Sequence, residues 1–141
     1  APGVIAKVET GAAFRALPEI IVAGAGHGPF GLMIARGDLA VEIGVARLSE
    51  VQEEILWLAE AARVPVIWAT EVLASLVKGG LPARGEVTDA AMGARAECVM
   101  LNKGPFQAEG VRLLDDLLRR AERHLDKKTP QLPRLRSWAG A

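Results

Sequence analysis

The chain has 141 residues, enough for one domain with a modest core. Half of them are apolar, and 17 basic and 17 acidic side chains cancel, which argues against nucleic acid or an anionic membrane as the main partner. A single cysteine, Cys98 in the apolar run "CVML", excludes an internal disulfide framework; packing is its expected role, and a reducing cytoplasm the expected location.

The opening "APGVIAKVET" has no basic region followed by an apolar one, so it does not read as a signal peptide. Its strand-like residues begin by Val4 without an initiator Met, and the chain is expected to be part of something longer. The first strand is predicted over Val4 to Glu9, followed by the helical "AAFRALPEIIVAG" with Pro18 suited to a first turn. The uncharged stretch Ile20 to Ala35 is interrupted by glycines, His27 and Pro29, and reads as helix end, loop and strand rather than a membrane span. A second strand is predicted over Gly31 to Asp38. Leu48, Val51, Ile55, Leu58 and Ala62 then recur at spacings of three and four, predicting an amphipathic helix.

A third strand over Val64 to Thr70 leads into "EVLASLV", a Gly-Gly-Leu-Pro break and the helical "VTDAAMGARAE". The fourth strand, Cys98 to Asn102, precedes a long helix with Val111, Leu114, Leu118, Ala121 and Leu125 on one side. From Lys127 the pattern stops, so residues 1–126 are predicted as the folded unit and 127–141 as a tail whose Trp138 is free to dock on a neighbour. Alternating strands and helices predict an α/β fold with a parallel sheet, its apolar strands covered on both faces. A doubly wound sheet and part of a (β/α)8 barrel both satisfy this pattern, four units being half of a barrel.

Polar residues gather at the strands' C-terminal ends, the edge where ligands bind in both architectures. These are Lys7 and Glu9, Arg36 and Asp38, Thr70, and Asn102 with Lys103. Strand alternation puts Lys7 with Glu9, and Arg36 with Asp38, on one face. Mutual pairing at a solvated rim is one reading. The other is a hard-oxygen site for Mg²⁺ or Mn²⁺ between two carboxylates, with Lys7 offsetting an anionic substrate. Gly37 would let backbone approach a ligand closely.

Four segments in order, "VIAKVET", "GLMIARGDLAVEIG", "VPVIWATEVLASLVKGGLPARGEVTDAA" and "AECVMLNKG", resemble consecutive motifs of the pyruvate kinase barrel. The resemblance implies the C-terminal half of a TIM (β/α)8 barrel and phosphoryl transfer between phosphoenolpyruvate and ADP. It implies Lys7 and Thr70 as catalytic groups, Gly37, Asp38, Thr70 and Arg36 as substrate contacts, and Glu9 and Asp38 as metal ligands. It also implies Mg²⁺ or Mn²⁺ as cofactor, K⁺ through the other barrel half, pyruvate and ATP as the products, no nucleic-acid or membrane partner, and association with another copy or with the missing half.

Three departures from the family pattern stand out. Glu71 replaces a glutamine in "ATEVL", Ala40 and Gly44 replace the usual glycine and proline, and "NKGPF" replaces a S-G-E-T-A segment. Enolpyruvate aldolase or lyase chemistry, and a non-catalytic half-barrel that self-associates, are the alternatives. Several residues read as structural: His27 as loop, His124 at a helix end, Arg36 paired with Glu42 or Glu71 if not with substrate, Glu86 and Asp89 as first-turn charges, Lys103 in solvent, Trp57 and Trp68 as core.

Overall fold

The computed structural model describes residues 2–126 and 129–131. Its elements run β1 (Val4–Val8), α1 (Gly11–Arg15), α2 (Leu17–Ala25), β2 (Phe30–Ala35), α3 (Arg36–Ile43), α4 (Val45–Ala62) and β3 (Val66–Val72). They continue through α5 (Ala74–Gly79), α6 (Arg84–Met92), a 3₁₀ turn (Gly93–Arg95), β4 (Cys98–Leu101), α7 (Gln107–Ala121), β5 (Leu125–Asp126) and β6 (Thr129–Pro130). Strands β1 to β4 form one sheet in sequence order, every pair parallel, so each helical connection crosses over one place. The α/β reading with a parallel sheet therefore holds.

The core lies between one sheet face and the helices. Val8, Leu32, Ile34, Val66 and Trp68 alternate along three strands and are at most 2 % exposed. Val51, Ile55, Leu56 and Ala59 of α4 join them, with Leu17 and Ile21 of α2 and Leu114 of α7. Each valine, leucine or isoleucine among these stabilises by about 1.5–3 kcal/mol when fully buried. The intervening positions are open on the outer strands, where Ile5 is 49 % and Met100 40 % exposed and Cys98 is exposed too, and half-buried or buried on the middle ones, at Met33, Ile67, Ala35 and Ala69. The expectation of two covered sheet faces, and of a packed Cys98, is thus corrected: the helices bury the other face, and Cys98 sits on the edge strand β4.

Other boundaries shift for local reasons. The second strand ends at Ala35, not Asp38, and Arg36 to Asp38 form the first turn of α3. The inward face of α4 includes Leu56 and Ala59, leaving Trp57 58 % exposed and Leu58 outside the core, so Trp57 is not a core residue. Val111 is likewise exposed on α7, whose covered side runs through Gly110, Leu113, Leu114, Leu117 and Leu118. Pro18 does lie in the first turn of α2. Thr129 and Pro130, expected in the tail, pair antiparallel with Leu125 and Asp126. The rest of that tail, Trp138 included, lies outside the described residues. Among the described residues no helix is long and apolar enough to cross a membrane.

Candidate active site at the strand ends

Lys7 projects from the end of β1, and Glu9 follows two residues later. Asp38 enters from the first turn of α3, since β1 and β2 are paired in register from Val4 with Phe30 to Val8 with Ile34. Lys7 Nζ makes ion pairs with both carboxylates: it contacts Glu9 Oε2 directly and lies 3.6 Å from Asp38 Oδ2. Two carboxylates from different elements therefore converge on one positive charge. The Glu9 hydrogen bond is the leading cause that holds the Lys7 ammonium above the ordinary lysine range, with the Glu9 and Asp38 charges adding to it, so Lys7 stays cationic throughout the neutral range. Among the described residues no three His, Cys, Asp or Glu side chains form a ready-made metal cluster.

The adjoining corner is built by β3. After Trp68 its pairing with β4 slips before resuming at Val72, and Thr70 (φ 68°), Glu71 (φ 57°) and Leu73 (φ 50°) adopt left-handed backbone. That turn brings Thr70 Oγ1 to 2.8 Å from the Gly37 amide, which donates to it. No side chain caps α3 from its own N-cap, Ala35, so the Thr70 hydroxyl takes one of the free amides of that first turn. Gly37 itself has ordinary backbone. A Cβ built there would lie 3.6 Å from Thr70 Oγ1 and 3.8 Å from Thr70 Cβ, normal contact distances.

Arg36 occupies a different place from that inferred by strand alternation. It is 7 % exposed, its Nε and Nη2 donate to the carbonyls of Ala69 and Thr70 (both 2.9 Å), and its Nη1 pairs with Asp89. The partner is thus neither Glu42, which accepts from the Gly11 amide at 3.4 Å, nor Glu71. Asp89 sits in the second turn of α6, not the first. Glu86 does stand in that first turn, where it accepts from the Ser75 amide at 2.8 Å and from the Ser75 hydroxyl at 3.0 Å. Sequence reasoning missed Asp89 as the Arg36 partner, because nothing in a separation of 53 residues signals the contact.

Arg36, Gly37, Asp38, Thr70, Glu71, Glu86 and Asp89 line one open cavity of about 890 Å³, whose apolar wall includes Val41, Val45 and Leu48. Lys103 is exposed outside it, and His27 and His124 are exposed as well. Gly104 of "NKGPF" is required by close packing, since a Cβ there would come within 2.2 Å of the Val77 carbonyl oxygen.

Residues 3–112 match the family model for the pyruvate kinase barrel domain. The chain belongs to the pyruvate kinase family. It is 36 % identical over 129 residues to a pyruvate kinase of Thermotoga maritima, covering 87 % of this chain and 27 % of that protein. Against a pyruvate kinase of Thermococcus litoralis the identity is 34 % over 141 residues, covering 96 % of this chain and 28 % of the relative. A crystal structure of a pyruvate kinase from Cryptosporidium parvum superposes with a TM-score of 0.78 at 30 % identity, over 86 % of this chain and 25 % of that one. The chain thus spans just over a quarter of the length of these two curated pyruvate kinases.

Proposed function

We infer that the chain carries the metal- and enolpyruvate-holding part of a site for phosphoryl transfer between phosphoenolpyruvate and ADP. On this reading its four βα units are half of a (β/α)8 barrel. The observation that carries it is the convergence of Glu9 and Asp38 on Lys7 at the strand ends, beside a helix N-terminus with Gly37 in its first turn. In the reaction the phosphorus–oxygen bond to the enol breaks, a bond to a terminal ADP oxygen forms, and the released enolpyruvate takes up a proton.

The donor set fits a small hard cation. Two carboxylates supply charge and leave the other positions of an octahedral ion to water and substrate oxygens, the habit of Mg²⁺ and Mn²⁺. Such an ion would neutralise charge on the substrate carboxylate and phosphoryl oxygens. Lys7, permanently cationic near neutral pH, would stabilise the phosphoryl group in flight. The amides of Gly37 and Asp38 at the start of α3 would hold the substrate carboxylate. The Thr70 hydroxyl, which accepts from the Gly37 amide, would share that donor with the bound carboxylate and so stand beside the enol carbon and its incoming proton. Sites for K⁺ and nucleotide would come from the parts of the longer relatives that these residues do not span.

Calorimetric titration with Mn²⁺ and oxalate, an enolpyruvate mimic, tests the reading. Wild type is expected to bind oxalate only with metal present, and Asp38→Ala to lose that binding. Turnover of pyruvate with an aldehyde, independent of nucleotide, would favour the aldolase reading instead.

A further inference from the structure

Arg36 is the one buried charged residue among the described residues. Its guanidinium lies over the Trp68 ring, 4.3 Å from the centroid. One edge is spent on two consecutive carbonyls of β3, Ala69 and Thr70, and the other on Asp89 of α6. Those carbonyls stand where the strand breaks register and where Thr70 and Glu71 take left-handed backbone. Such conformations are costly for residues with a Cβ and persist only where surroundings enforce them. The rigid planar fork of arginine matches this set of acceptors; a lysine presents a point charge and cannot.

We propose that Arg36 is a positioning residue. Anchored by Asp89 and Trp68, it holds the end of β3 in the turn that sets the Thr70 hydroxyl on the Gly37 amide. It thereby fixes the substrate-carboxylate corner of the site without touching the substrate. The proposal rests on the reading of Gly37 and Thr70 as substrate contacts given above, and assigns Asp89, distant in sequence, to the support of that corner.

Amide hydrogen exchange and Mn²⁺–oxalate titration of the full chain test it, with Asp89→Asn as the mild variant, Asp89→Glu as the conservative one and Arg36→Lys as the direct one. Asp89→Asn and Arg36→Lys are expected to speed exchange at Gly37 by about tenfold, with β1 and β2 amides unchanged. Both should keep affinity for Mn²⁺ alone within about twofold and weaken oxalate by about tenfold, while Asp89→Glu retains wild-type behaviour. Unchanged Gly37 exchange in both variants overturns the proposal. A uniform rise at all amides also overturns it, because that is the signature of a merely structural role. If wild type takes up no oxalate but Asp89→Asn still exposes Gly37, the positioning role stands and the reading of the site fails.

Discussion

Under the proposed reading the site depends on Lys7, Glu9 and Asp38, and Gly37 is the residue whose identity the fold leaves unexplained. Its backbone is not left-handed, and a Cβ would meet Thr70 at ordinary distances. Alanine is also preferred over glycine in helices by up to about 1 kcal/mol. Gly37→Ala is therefore expected to melt no lower than wild type, while a methyl beside the carboxylate-holding amides weakens metal-dependent oxalate binding by about tenfold or more. Equal oxalate affinity in the two proteins would show that no ligand approaches that backbone. Gly37 could be singled out from sequence because a glycine just past an apolar strand lets backbone approach a ligand closely. Arg36 could not be placed the same way. Alternation assumed the strand continued to Asp38, and it had already turned into α3.

Among the elements, the order and type of the four strands and their helices were readable from apolar runs and punctuation, because each parallel strand is short, apolar and bounded. The faces were less so. In α4 the run Ile55, Leu56, Trp57, Leu58 wraps most of the circumference, so spacing alone could not say which side packs. The structure buries Leu56 at 1 % exposure and leaves Trp57 at 58 %. Glu53 of the same helix receives Arg95 from the 3₁₀ turn, with Arg95 Nη1 to Glu53 Oε2 at 2.6 Å, which helps fix the rotation. In urea unfolding, Leu56→Ala is expected to cost about 2–5 kcal/mol. Trp57→Ala should stay within about 0.5 kcal/mol of wild type. A larger loss at Trp57 would mean that its side of the helix is covered in solution.

At the scale of the whole molecule, the sheet is buried on its helical face and, on the other, open along its outer strands. Parallel sheets are normally covered on both faces. The open positions Ile5, Cys98 and Met100 are where the rest of a barrel would pack under the reading proposed above. Cys98 reports on this directly: in the chain as it stands, a thiol reagent should label it under native conditions at a rate near that of the unfolded chain. Strong protection would mean that another copy or segment covers the face. The central claim is that these 141 residues hold an ion and an enolpyruvate-like anion with side chains and amides of their own. The most direct test is calorimetric titration of folded wild type and Asp38→Ala with oxalate, with and without Mn²⁺. The account predicts oxalate uptake in wild type only when Mn²⁺ is present, and none in the variant. A folded wild type that takes up no oxalate with Mn²⁺, or a variant that matches it, would contradict the account.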